Sequence, residues 1–295
     1  MSIVDPSPAA AQSPRAFDWQ RVVRSDAFLP GLVFAAALGV LFWPLLAVLP
    51  ELWQSEDGYY SHGWLVPLIA AYIVYRRWPQ LSTIPVRPSA FALLPLATVL
   101  FLVYSGRAAD LRLILSHGLI ATLLFTVWFV AGWRWMLGLF WPIAYLYFAL
   151  PIWTFAIDTY TAPLQRISSW IAFQMLHFMG FEVFMVDRTN VLVGDFNLFV
   201  GVPCSGFKLI LAVTAFTVLF VLIANLRWWA NLLMFAVVAP LCLFINGLRI
   251  ALIGIVGDRL GSEAGHAFHN YSGYVTLILC FFLLFKLARV LGWKD

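Results

Sequence analysis

The sequence predicts an all-α polytopic membrane protein, with about eight transmembrane helices and a small external β-hairpin element between spans five and six. Three observations carry this. Of 295 residues, 63% are hydrophobic and 11% charged, against about 25% charged in a soluble domain, so a water-soluble globule is excluded. Apolar runs recur at the length, about 20 residues, that a helix needs to cross about 30 Å of hydrocarbon. Between the fifth and sixth runs lies a stretch rich in Val and Phe, punctuated by Asn190, Gly194, Asp195 and Gly201, which reads as short strands and turns outside the bilayer.

Residues 1–26 are polar and are expected to form a cytoplasmic tail. They lack an early apolar stretch with a small-residue cleavage site, so the first span reads as a retained signal anchor. That span runs from about Phe28 to Leu49, and a shorter second follows the acidic loop of Glu51, Glu56 and Asp57, from about Ser61 to Tyr75. The third covers about Ser89 to Tyr104, the fourth Leu113 to Ala131, and the fifth starts near Trp135 and is stopped by Pro151. From Thr161 to Met179, Arg166, Ser168, Ser169, Gln174 and His177 interrupt the apolar residues, the pattern of an amphipathic helix at the interface or packed on the bundle. Span six is expected from Cys204 to Ala224, span seven from Trp228 to Ile245 with a continuation through Gly257, and span eight from Gly273 to Leu291.

If these spans alternate, Arg15, Arg21, Arg24, Arg76, Arg77, Arg87, Arg134, Arg227, Lys286, Arg289 and Lys294 fall on one face, which the positive-inside rule makes cytoplasmic. Both termini are then cytoplasmic. The opposite face holds Glu51, Glu56, Asp57, Glu182, Asp187, Asp195, Asp258 and Glu263. The same rule accounts for the excess of 18 Lys and Arg over 14 Asp and Glu, so no nucleic-acid partner is implied. The three cysteines, Cys204, Cys242 and Cys280, are too few and too far apart for a disulfide framework or a C-x-x-C metal clamp. No internal repeat of the kind that marks secondary transporters is visible.

Alternation also brings Cys204, Arg249, His266 and His269 toward one external face. Cys204 opens a helix in Val-Pro-Cys-Ser-Gly, where free N–H groups and the helix dipole favour a thiolate, and Lys208 follows four residues on. Cys242 and Cys280 sit mid-run and read as small hydrophobes. Arg249 is apolar on both sides, where a charge costs at least about 2.5 to 3.5 kcal/mol on insertion scales. It is either a group that holds a carboxylate or oxyanion, or a structural cation that snorkels or neutralises an acid such as Asp258. Asn246 shares its helical face. His269 and His266 titrate in the range that suits proton transfer, and His62, at the outer end of span two, is a further candidate on that face. His117 and His177 read as structural.

These residues stand in four short motifs: Tyr60-Ser61-His62-Gly63, Cys204-Ser205-Gly206, Asn246-Gly247-Leu248-Arg249 and His269-Asn270-Tyr271-Ser272-Gly273. In that order and topology the chain resembles the exosortase/archaeosortase family of polytopic membrane cysteine transpeptidase-like enzymes, from about Asp57 to Arg289. Residues 27–295 then form a single transmembrane exosortase-like domain. The resemblance implies catalytic roles for Cys204, Arg249 and His269, the last preferred to His266 for its H-x-x-x-G spacing. Lys208, Asn246, His62 and His266 become substrate-binding or supporting residues. His as the third residue points to the bacterial exosortase branch, and Asn270 stands where the family usually carries Asp.

The resemblance further implies a bacterial inner-membrane enzyme with its site on the periplasmic face. Its substrates would be membrane-anchored proteins whose C-terminal sorting signal joins a short motif, typically Pro-Glu-Pro, to a transmembrane helix and a basic tail. The expected chemistry is acyl transfer from Cys204 to water or to a polysaccharide or lipid acceptor, with no cofactor and no metal. Two rivals remain. A metalloprotease-like site would use His62, Glu263, His266 and His269, but no H-E-x-x-H is present. A transporter or assembly subunit for envelope polysaccharide would use Arg249 to bind an anion and Cys204 only for packing.

Overall fold

The computed structural model describes residues 28–55, 58–224 and 226–293. The expected tail 1–26, the acidic residues Glu56 and Asp57 and the terminal Lys294 lie outside them.

Helices α1 (Phe28–Leu41), α2 (Trp43–Leu46) and α3 (Leu49–Gln54) form the first apolar segment, broken where Pro44 enters the first turn of α2. There follow α4 (Leu65–Leu81), α5 (Leu93–Ala108) with a 3₁₀ turn ahead of it, α6 (Arg112–Ala131), α7 (Trp133–Tyr145) and α8 (Thr154–Phe178). Strands β1 (Val183–Met185), β2 (Asn190–Val193) and β3 (Phe196–Phe199) come next, then α9 (Phe207–Ile223), α10 (Trp228–Leu260) and α11 (Ser262–Val290).

The chain is a mostly helical membrane protein with a small sheet, as the sequence predicts. Among the described residues four helices are long and apolar enough to cross a bilayer: residues 90–108, α6, α10 and α11. Two bent pairs, 31–41 with 43–54 and 133–149 with 154–178, bring the number to six if each is one span. The two further helices that the count of eight would need, α4 and α9 for the second and sixth spans, are 17 residues each, at the short end of what a crossing helix requires. Large apolar side chains such as Phe91, Leu94, Phe101 and Tyr104 stand exposed, the surface of a protein solvated by lipid.

Three expected boundaries change. The helix drawn from Thr161 begins at Thr154, since Pro163 lies in its second or third turn without ending it. Spans seven and eight do not stop short of their polar residues: α10 is continuous for 33 residues, and α11 starts at Ser262, so Arg249, His266 and His269 all lie within helices. The hairpin gains a third strand. β2 and β3 turn at Gly194-Asp195 with Val193 opposite Phe196, and β1 adds antiparallel to β2 with Val183 opposite Val193.

Period-two alternation explains where this sheet sits. Val183, Val191, Val193 and Leu198 turn inward and pack with Ala172 and Leu176 of α8 and Ile250 and Ile253 of α10. Asp187 closes the β1–β2 turn by accepting the N–H groups of Thr189 at 2.6 Å and Asn190 at 2.8 Å. The sheet is keyed to the α10–α11 hairpin by two glycines. A Cβ at Gly257 would stand 2.5 Å from the Phe196 ring, and one at Gly265 would stand 3.1 Å from the Gly257 Cα.

Helix α10 at about 1.5 Å per residue is roughly 50 Å long, well over the hydrocarbon thickness. Strands with open edges are not stable against lipid tails, so the end beside Gly254 and Gly257, where the sheet packs, is the end that leaves the hydrocarbon. Cys204, Arg249 and His269 gather at that end.

Candidate active site

The thiol sits on a turn rather than on a helix. Val202–Cys204 form a 3₁₀ turn, closed by Cys204 N–H donating to the Gly201 carbonyl at 2.9 Å. Gly206, at φ +85°, then reverses the backbone before α9 begins at Phe207. This corrects the expectation that Cys204 opens a helix with Lys208 on the same face: the left-handed residue between them breaks the i, i+4 relation. The charge of Lys208 acts on the His62 ring.

Polar side chains from two helices hold the turn. Asn246 Nδ2 donates to the Cys204 carbonyl at 2.8 Å and to Ser168 Oγ at 3.0 Å, and Ser168 Oγ donates to the Ser205 carbonyl at 3.1 Å. Gln165 donates to the carbonyl of Val200, at the entry to the turn. A methyl at Gly206 would meet the Asn246 amide at 3.1 Å, so the glycine is needed for close approach as well as for its φ. Buried amides and hydroxyls find partners here, and the backbone around Cys204 is fixed while its Sγ is left facing α11.

Opposite it, α11 presents His269 and Ser272 along one face. His269 Nδ1 is 3.4 Å from Cys204 Sγ and Nε2 is 3.8 Å away, within reach for a proton to pass between sulfur and ring. Arg249, one turn beyond Asn246 on α10, donates Nε to Ser272 Oγ at 2.9 Å and Nη2 to the His269 carbonyl at 3.0 Å; Ser272 Oγ donates to that same carbonyl at 3.2 Å. Gly273 lies under the guanidinium, where even a Cβ would be 3.8 Å from Nη2. The H-x-x-x-G spacing thus sets the histidine carbonyl and the glycine beside one guanidinium, with space there for a methyl group. Nη1 makes no hydrogen bond among the described residues and is available to another acceptor.

The reading of Arg249 as the neutraliser of Asp258 fails: Asp258 pairs with its neighbour Arg259 at 3.5 Å. Arg249 instead acts electrostatically on Cys204.

A cavity of about 240 Å³ opens beside the thiol. Its walls are the chain from Phe196 to Gly201, Ile250 and Ile253 of α10, and His266 and His269 of α11. His266 is exposed at this lining, where a substrate would meet it. His62 is not among the lining residues. It lies in the turn before α4 with its ring buried near the Phe148 backbone, and the same turn packs against α9 through Tyr59 and Phe207. Cys242 and Cys280 are wholly buried between α10 and α11, apart from this cavity. Among the described residues no three His, Cys, Asp or Glu side chains come together in a way that would hold a metal ion.

The structure joins Cys204, Arg249, His269 and Asn246 of the sequence-derived candidates in one hydrogen-bonded group with His266 at the cavity lining; His62 and Lys208 are outside that lining and within electrostatic reach of each other. It adds Gln165, Ser168 and Ser272, which the sequence reading did not single out for the site. Gln165 and Ser168 sit in the polar interruptions of α8, and Ser272 follows His269 by three residues, so helical spacing was the available signal. A family model for transmembrane exosortases matches residues 53–286. No curated protein and no solved structure gives a significant match.

Proposed function

The chain belongs to the transmembrane exosortase family, and on that premise we propose that it is a membrane-embedded cysteine transpeptidase or protease that cleaves C-terminal sorting signals of exported proteins. The observation that carries this reading is the Cys204 Sγ to His269 Nδ1 approach of 3.4 Å at the edge of a cavity.

In the proposed reaction His269 takes the thiol proton, and the Cys204 thiolate attacks the scissile carbonyl to form a C–S bond. The developing oxyanion is met by Nη1 of Arg249, whose other donors are occupied in fixing His269. The C–N bond breaks as His269 protonates the leaving amine, which stays on the substrate's transmembrane helix. An incoming hydroxyl, amine or water gives its proton to His269 and attacks the thioester, and the thiolate is released. The reaction balances without a cofactor. The substrate motif is expected to be of the Pro-Glu-Pro type followed by a helix and a basic tail, and the site to face the periplasm from the inner membrane, both termini being cytoplasmic. The acceptor is a polysaccharide or lipid nucleophile, or water.

The test is co-expression with an epitope-tagged protein carrying such a C-terminus, its size followed by immunoblot. Processing by the intact protein, lost in Cys204→Ala, supports the reading; processing retained in Cys204→Ala sinks it.

A further inference from the structure

The sheet order β1-β2-β3 leaves β3 at an edge. Val200 N–H donates across to the Thr189 carbonyl at 2.9 Å, which fixes the parity of the ladder. Phe196, Leu198 and Val200 turn their backbone groups to β2, and Asn197 and Phe199 turn theirs away. The Phe199 carbonyl is taken by Gly201 N–H at 3.1 Å. Asn197 N–H, Asn197 C=O and Phe199 N–H are left directed outward.

A strand that lined a cavity with one face would contribute alternate residues. Here all residues from Phe196 to Gly201 contribute, so β3 meets the cavity with its edge. The lining also takes in His266 and His269 of α11 and Cys204 itself. An open strand edge and a nucleophile in one cavity are what an extended peptide requires.

We propose that the substrate's cleavage segment binds as a fourth strand on β3, its central residue exchanging both backbone hydrogen bonds with Asn197. This rests on the proposed thiol chemistry and deepens it: the occupant is an extended stretch of the substrate protein, held by its main chain, with its scissile carbonyl delivered to Cys204. Main-chain pairing gives affinity, and only alternate substrate N–H groups face β3. Every second position of the substrate can therefore lack an N–H without loss.

The test uses the full-length protein in membranes with the tagged substrate. Asn197→Pro removes the outward donor at a position whose N–H takes no part in the ladder, the edge setting in which proline is tolerated. Processing is expected to fall about tenfold, the worth of roughly one hydrogen bond of 1.4 kcal/mol. Met185→Pro is the control, because Met185 turns its N–H away from β2 on the opposite edge, remote from the cavity; it is expected to process normally. Wild-type rates in Asn197→Pro overturn the proposal, and if Cys204→Ala is inactive in the same assay the thiol reading survives that result. Processing by Cys204→Ala removes the thiol reading and this proposal together.

A second measurement does not depend on any variant folding. Synthetic peptides spanning the mapped cleavage site, each amide N-methylated in turn, are cleaved by the detergent-solubilised wild type. Losses at alternate positions support strand addition, and losses without that period overturn it.

Discussion

Asn246 donates to the main-chain carbonyl of Cys204 across 42 residues of sequence, at 2.8 Å. The nucleophile is thus positioned through its backbone, and its sulfur is left with the rotational freedom that attack and release require. Replacing Asn246 by Leu, similarly branched but without the amide, strands the Cys204 carbonyl and takes one of two partners from Ser168 in a buried setting, at a cost of about 1–3 kcal/mol. Processing is expected to fall at least tenfold while the protein still folds. Alkylation of Cys204 by iodoacetamide, followed by mass spectrometry, checks that the thiol remains reachable.

Arg249 makes two directed hydrogen bonds from different nitrogens, to Ser272 Oγ and to the His269 carbonyl. A lysine keeps the charge but has no fork. Both Arg249→Ala and Arg249→Lys are therefore expected to lose about 10²–10³ in turnover, the usual worth of an oxyanion donor. Ser272→Ala, which removes one anchor of the guanidinium, is expected to lose far less. Single-turnover rates on the tagged substrate rank the three, and a Lys variant that processes like wild type would show that charge alone suffices.

Only one thiol faces the cavity. Cys204→Ala is expected to abolish processing, whereas Cys242→Ala and Cys280→Ala leave it intact and lower thermal stability slightly, by removal of small buried side chains. A thiol-directed inhibitor is expected to block the Cys242→Ala and Cys280→Ala proteins as fully as the wild type.

Asp187 is held at about 2, well below the ordinary carboxylate value, first by the Thr189 N–H and then by the Asn190 side chain and N–H. A depressed value stabilises the folded turn at pH above the unfolded carboxylate's range, and that contribution is lost as pH falls through about 2. Asp187→Ala is expected to speed amide exchange at Thr189 and Asn190 near neutral pH. The gap from wild type narrows progressively below about pH 4, the ordinary carboxylate value.

The site was legible in the sequence where a residue type was out of place. Arg249 stands among apolar neighbours, His269 begins a polar run ahead of a span, and Cys204 lies between Pro203 and Gly206 instead of mid-helix. Alternation put His62 on the right face of the bundle but not in the cavity lining, and Gly206 at φ +85° takes Lys208 out of helical register with Cys204. Ser272, Ser168 and Gln165 were given no part in the site because a neutral polar residue in a helix marks one only once its partner on another element is known. The third strand was hidden likewise, since Val183 to Met185 gains its ladder only by pairing with residues beyond a turn. The expected count of eight included the segments of α4 and α9, which are helices of only 17 residues each.

Arg249 hydrogen-bonds to no carboxylate, and the charge that comes within its electrostatic reach is the one Cys204 carries when its thiol ionises. The guanidinium of Arg249 therefore gains its counter-charge only as one sulfur ionises. A neutral cap on the thiol removes the counter-charge from a partly buried cation, whereas oxidation to a sulfinate retains it. The two modifications are equally inactivating and opposite in their effect on cohesion: the carbamidomethylated protein should melt below the unmodified one, and the sulfinate at or above it.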